Sequence, residues 1–190
     1  STRSTPVGFL LFGALAVLLI GIVLYNSLVR RRNAVDQAFS TIEVQLTQRY
    51  DLIPKLVETV KQYMGHERGL LEEIVRLRSQ AMQGRTTSEK VAANNELTSA
   101  LGRLNVQVEN YPQLRSSDNF IHLQRSLNEV EEQLAAARRS YNAAVTDYNN
   151  AVETFPGSIV AGLSGFREQQ TFVAETHKRQ DVDMKGLFKT

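Results

Sequence analysis

The sequence predicts an all-α fold, in which an N-terminal transmembrane helix continues into an antiparallel up-down bundle of three to four long helices. Three observations predict it. No charged side chain occurs from Ser4 to Val29. Downstream, apolar residues recur at alternating steps of three and four, which is the period of one helix face. Short turns separate these periodic segments, and short connections favour antiparallel neighbours.

The N-terminal stretch is long enough to cross a bilayer. Its apolar core runs from Val7 to Leu24, and with Tyr25 to Val29 it extends roughly 33 Å as a helix, against about 30 Å for the hydrocarbon layer. A cleaved signal peptide and a buried helix of a soluble protein are the alternatives. Only Arg3 precedes the stretch, and no Ala-x-Ala site lies between its apolar core and the arginines after it, so a membrane anchor is the favoured interpretation.

An arginine triplet follows the apolar stretch directly, at Arg30, Arg31 and Arg32. The positive-inside rule therefore predicts that the short N-terminus lies outside and that residues 30–190 lie in the cytoplasm. We interpret the triplet as a membrane-interface anchor on anionic headgroups. The formal net charge is only +2, which argues against nucleic acid as a partner.

The long helices are predicted from heptad-like stripes. The first stripe begins at Val35 without a break after the span, and Pro54 must kink this helix or start a new segment. Gly84 is the predicted C-cap of the second helix. Thr86 and Glu89 form a predicted capping box at the start of the third, and Pro112 is expected to end it. The clearest stripe follows Asp118, at positions Phe120, Leu123, Leu127, Val130, Leu134, Ala137, Tyr141, Ala144, Tyr148, Ala151 and Phe155.

After this stripe the periodicity stops. A short helix is expected from Ser158, as its N-cap, to Leu163. The predicted domains are thus residues 1–29 with the span, 30–164 with the bundle, and 165–190 as an extended or weakly ordered tail. Phe166 and Phe172 within this tail are candidates for docking on the bundle, and a disordered tail is the alternative.

Motifs for catalysis are missing from the sequence, so we expect a non-enzymatic protein with no catalytic, cofactor-binding or metal-binding residues. There is no cysteine, and the three histidines lack the spacing of metal ligands. The candidate interaction or packing residues are aromatic: Tyr141, Tyr148, Phe155 and Phe166. The two tyrosines lie seven residues apart, as either core residues with hydrogen-bonded hydroxyls or an aromatic stripe that binds a partner.

Several blocks of sequence together resemble the LemA family of bacterial membrane proteins. They include Arg49-Tyr-Asp-Leu-Ile-Pro54, Glu109-Asn-Tyr-Pro112, Tyr141-Asn142, Tyr148-Asn149 and Phe155-Pro156. The resemblance covers residues 20 to 170. Phe39 and Lys55 depart from the family, where tryptophan and asparagine are frequent. The resemblance implies an N-terminal anchor and an antiparallel bundle. Some relatives are associated with an HtpX-type membrane zinc protease, and one branch takes part in magnetosome formation.

We therefore expect a membrane-anchored scaffold in the bacterial inner membrane, which contacts the lipid bilayer and self-assembles as a homo-oligomer, recruits partners, or does both. This expectation rests on a single anchor, on long heptad stripes that suit coiled-coil packing, and on the lack of a catalytic constellation in the sequence. One alternative is an adaptor subunit of an HtpX-type membrane protease or another quality-control system. Another is a protein that organises or remodels the membrane.

Overall fold

The computed structural model describes residues 6–172, except for the side chains at positions 6, 7, 87 and 88. Over this range the regular structure is entirely helical, which confirms the all-α prediction. The helices are α1 (Pro6–Lys61), α2 (Arg68–Gln83), α3 (Thr87–Val108), α4 (Pro112–Arg115), α5 (Asp118–Glu153) and α6 (Gly157–Ser164). Most of the predicted tail, residues 173–190, lies outside the described residues.

The apolar stretch and the first heptad stripe form one continuous helix, α1, of 56 residues. The helix continues through Pro54 rather than starting again there. Its most apolar 18-residue window has a mean hydropathy of 2.6 and none of it is buried, so by length and composition α1 can cross a membrane. Further along, α1 buries a stripe at positions Leu28, Val35, Ile42, Leu46, Ile53, Leu56 and Val60.

The chain divides into two compact units. Among the described residues, unit 1 comprises residues 6–46 and 131–171, and unit 2 comprises residues 47–130 and 172. Each of the two longest helices, α1 and α5, therefore contributes to both units.

In unit 1, α1 and α5 run antiparallel. Arg31 forms an ion pair with Asp147, and the rings of Phe39 and Tyr141 lie 5.8 Å apart, so rising numbers on α1 meet falling numbers on α5. The α5 residues buried in this unit are Leu134, Ala137, Tyr141, Val145 and Tyr148.

The end of α5 differs from the prediction. The helix stops at Glu153, so Phe155 leaves the buried stripe and is 81% exposed. The short helix α6 then begins at Gly157, with Pro156 in the N-cap position and no side-chain capping bond. The prediction that Ser158 caps it was wrong, because Pro156, with its restricted φ, occupies the N-cap position two residues earlier.

In unit 2, α2 and α3 form a helical hairpin. Thr86 and Glu89 form the predicted capping box, in which the Glu89 amide donates to Thr86 Oγ1 at 3.1 Å and the Thr86 amide donates to the Glu89 carboxylate at 3.3 Å. Gly84 is the C-cap residue of α2, with φ −54° rather than a left-handed conformation. Pro112 does not directly end α3, which stops at Val108; instead it begins α4, where its missing N–H costs nothing.

Candidate functional site

The candidate functional site is the part of unit 1 where α5 holds the extended segment that follows α6. The Tyr148 hydroxyl donates to the Arg167 carbonyl at 3.0 Å, and the Tyr141 hydroxyl donates to the Gln170 carbonyl at 3.0 Å. Since the two tyrosines are seven residues apart, they lie on the same face of α5, and their acceptors are three residues apart on the segment.

Asn149 adds a two-point contact to this arrangement. Its Nδ2 donates to the Gln169 carbonyl at 2.9 Å, and its Oδ1 accepts from the Gln169 amide at 2.9 Å. The amide side chain therefore satisfies both backbone groups of one residue, as a neighbouring β-strand would. Together, the bonds from Tyr141, Tyr148 and Asn149 fix residues 167–170 without regular secondary structure.

Both tyrosines are almost completely buried. Burial raises the pKa of Tyr141, and the nearby Asp36 carboxylate raises it further. Burial also raises the pKa of Tyr148; Asp36 adds to this effect, while Arg32 and the hydrogen bond to the Arg167 carbonyl oppose it. The hydroxyls therefore stay protonated near neutral pH and remain donors to the segment.

An aromatic contact holds the start of the same segment, at Phe166. Phe166 packs edge-on against Tyr25 of α1, with ring centroids 5.7 Å apart, and Phe172 is buried. The two predicted docking residues are thus both packed. Phe155, in contrast, contributes nothing to this cluster, because it lies beyond the end of α5 and faces outward.

The three arginines of the triplet have different surroundings. Arg31 pairs with Asp147 of α5 and also donates to the Asp147 carbonyl at 3.4 Å. Arg30 and Arg32 are exposed. The role of the triplet at the membrane interface stays a prediction, and Arg31 has a second role in joining α1 to α5.

A second polar cluster lies in unit 2 and was missed by the sequence analysis. Arg49 and Asn94 are fully buried. Arg49 donates to Thr98 Oγ1 at 2.8 Å and to Asn94 Oδ1 at 3.4 Å, and the Asn94 amide nitrogen bonds the Tyr50 hydroxyl at 2.8 Å. The signal that could have found it is an arginine in phase with the apolar stripe of α1, since buried charges require partners.

The surface of unit 2 also carries a groove of about 690 Å³ beside α2. It is lined by Val57, Lys61, Arg68, Leu71, Glu72, Val75, Arg76 and Ser79. Across the part of the chain that the structure describes, no group of three or more histidine, aspartate or glutamate side chains is placed to hold a metal ion.

An exposed apolar helix, long enough to cross a bilayer and continuous with a packed helical bundle, defines a membrane protein of the all-α class. The chain belongs to the LemA family, whose sequence model matches residues 38–185. The structure and the family together confirm the resemblance seen in the sequence.

Individual relatives match to different extents. The chain is 27% identical to Protein LemA of Metamycoplasma hominis over 163 residues, which cover 85% of this chain and 74% of that protein. It is 37% identical over 82 residues to Magnetosome protein MamQ 2 of Paramagnetospirillum magneticum, which cover 43% of this chain and 30% of that protein. Magnetosome protein MamQ of Magnetospirillum gryphiswaldense is 34% identical over the same length and coverage.

Proposed function

We propose that this protein is a non-enzymatic, membrane-anchored helical scaffold that self-assembles or recruits partners at the membrane. The observation that supports this proposal is the continuity of α1. One helix carries both the exposed apolar stretch and the buried stripe from Leu28 to Val60. The anchor is therefore part of the folded core, which suits a protein that must hold a surface at the membrane.

The site residues support a structural role. Tyr141, Tyr148 and Asn149 bond the chain's own backbone, and burial keeps the two hydroxyls protonated. Their polar groups thus serve the fold of unit 1. The surface for other molecules lies elsewhere, in the groove of unit 2 that the exposed side chain of Val75 lines.

The proposed location is the bacterial inner membrane, with the N-terminus outside and the bundle in the cytoplasm. The support is the charge difference across the span, one arginine before it and three directly after it. Two of those three, Arg30 and Arg32, are exposed, so their charges are accessible to anionic headgroups.

The first experiment is the mass of the full chain in a mild detergent, measured by light scattering with the detergent contribution subtracted. A discrete multimer that persists on dilution supports self-assembly. A monomer at every concentration contradicts self-assembly. The part of the proposal that is then tested is recruitment of a different protein.

Recruitment is tested by a photo-crosslinking amino acid at Val75, which lines the groove of unit 2 and is partly exposed. Arg139, exposed on α5, is the matched control position. A discrete adduct with another membrane protein from Val75, and none from Arg139, supports recruitment. Adducts of equal yield at both positions would indicate random collision and would contradict a specific partner surface in this groove.

A further inference from the structure

The corner between α5 and α6 exposes apolar side chains in an uncharged part of the chain. No charged residue occurs from Thr154 to Phe166. Within it Phe155 is 81%, Ile159 55% and Leu163 85% exposed. Ile159 and Leu163 are four residues apart and lie on one face of α6. Large apolar side chains exposed within one uncharged segment indicate a binding surface.

The register of unit 1 shows where this corner lies along α1. Arg31 pairs with Asp147 across the antiparallel helices. Both helices rise about 1.5 Å per residue, so Glu153, six residues after Asp147, is level with Tyr25, six residues before Arg31. The contact between Tyr25 and Phe166, just after α6, agrees with this register. The exposed face therefore lies at the end of the apolar stretch, next to Leu24.

The burial of α1 shows that the packing of unit 1 extends to the end of the apolar stretch. Leu28 is buried, and Leu24 is partly buried. The two residues are four apart, so they share one face of the helix. The large apolar residues before them, such as Phe12 and Leu18, are exposed.

We propose that the α5–α6 corner is a second membrane contact, in which Phe155, Ile159 and Leu163 insert into the boundary between lipid headgroups and acyl chains. Interfacial helices bury their apolar face about 5–10 Å into this layer. Tyr25 occupies the level at which interfacial tyrosines are enriched, and the exposed Arg30 and Arg32 follow on the headgroup side.

The bilayer fits this surface because of its continuity with the anchor. If the corner lay in water, Phe155, Ile159 and Leu163 would stay exposed to it beside a helix that lies in lipid. Insertion removes them from water at about 25 cal/mol per Å² of apolar area. The contact rests on α1 spanning the bilayer, and it adds a second point of attachment that restricts rotation of unit 1 about the α1 axis.

Tryptophan fluorescence tests this contact cleanly because the chain has no tryptophan. Phe155→Trp and Leu163→Trp are each introduced alone into the full chain, which is reconstituted into phosphatidylcholine vesicles with or without bromine on the acyl chains. Leu15→Trp, in the apolar stretch, reports on the anchor. Val106→Trp is the matched control, because Val106 is 68% exposed on α3 of unit 2.

We expect a shift of emission to shorter wavelength and a loss of intensity in brominated vesicles at positions 155, 163 and 15, with neither change at position 106. Quenching at 15 without quenching at 155 and 163 overturns the membrane contact and leaves the anchor intact. Short-wavelength emission at position 155 that bromine does not quench would show that protein, rather than lipid, covers the corner. This result also overturns the membrane contact. The absence of quenching at 15 overturns the anchor and this inference together.

Discussion

Two tyrosine hydroxyls of α5 hold the extended segment of unit 1 by donating to backbone carbonyls. Their positions could be predicted from the sequence, because Tyr141 and Tyr148 occupy the heptad stripe. Their acceptors could not, because residues 167–170 follow no period and the direction of an extended segment is set by its tertiary contacts. The two-point contact of Asn149 was missed for the same reason.

The raised pKa of both tyrosines predicts a loss of stability in alkali. The folded state holds these protons more tightly than the unfolded chain, where the pKa has its ordinary value of 10.0. The stabilisation by the two protonated hydroxyls is therefore complete below pH 10.0. It is lost as the pH rises through this value towards the pKa of the tyrosines in the folded state. Denaturant unfolding of the full chain in detergent, on either side of pH 10.0, measures the loss.

The control for this titration is the double variant Tyr141→Phe with Tyr148→Phe, which keeps the ring packing and removes the titrating groups. Its unfolding free energy should fall less over the same pH step than that of the parent chain. An equal fall in both proteins would assign the alkaline effect to other groups.

Because Arg49 is buried and hydrogen-bonded, we expect its substitution to lower the unfolding free energy of unit 2 strongly. Arg49→Met keeps a side chain about as long as the arginine stem and removes the guanidinium group with its bonds to Thr98 and Asn94, and bonds from a charged donor contribute about 1.5–3 kcal/mol. Arg103→Met is the control, since Arg103 forms a partly exposed pair with Glu73, and such pairs contribute about 0–1 kcal/mol. Denaturant unfolding should rank the two variants in this order; equal costs would show that the buried cluster is not stabilising.

At the scale of elements, the helices were predictable and their ends were less so. The stripe of α5 fixes its buried face over most of its length, because apolar periodicity decides which side packs. Phe155 satisfies the same spacing and is nevertheless outside the helix, since the helix ends at Glu153 ahead of Pro156. Caps depend on one or two local bonds and can shift by two residues without changing the stripe, as the N-cap of α6 does from Ser158 to Pro156.

Two glycines of α6 should respond oppositely to alanine. A Cβ at Gly157 would collide with the Ala151 carbonyl oxygen, whereas a Cβ at Gly162 meets no atom within 4 Å. Gly162→Ala should therefore raise the unfolding free energy by about 0.5–1 kcal/mol through helix propensity, and Gly157→Ala should lower it. Thermal unfolding of both full-length variants checks the signs, and stabilisation by Gly157→Ala would contradict the tight corner.

The core of α5 makes a further prediction at this scale. Leu134 is fully buried, and Leu134→Asp places a carboxylate in an apolar site, a change that costs several kcal/mol. Since whole domains are stable by only about 5–15 kcal/mol, unit 1 should unfold or melt at a much lower temperature. Gln133→Asp, at the exposed neighbouring position, is the control. Equal melting temperatures for the two variants would show that Leu134 is not a core residue.

At the scale of the whole molecule, the sequence shows one anchor and one set of helices but not the division into two units. The apolar stripes of α1 and α5 continue past Leu46 and Val130, and no change of period marks the boundary between units. The boundary depends on which helices pack together, which is a tertiary property.

The orientation in the membrane is a prediction for the whole chain. Because the chain has no cysteine, Val106→Cys provides a single label site on the exposed surface of α3. With the bundle in the cytoplasm, a maleimide that does not cross membranes should label it only after the cells are permeabilised. A cysteine at Ser1 should be labelled in intact cells, and the reverse pattern would contradict the positive-inside assignment.

The antiparallel pairing of α1 with α5 also determines when unit 1 can fold during synthesis. The partners Arg31 and Asp147 are separated by 116 positions, which a ribosome takes roughly 6–23 s to add at about 5–20 residues per second. During that interval Leu28, Val35 and Ile42 have left the ribosome without the helix that will cover them. Unit 1 is therefore completed late in translation, and a nascent chain that stalls before α5 presents an apolar stripe to the membrane or to chaperones.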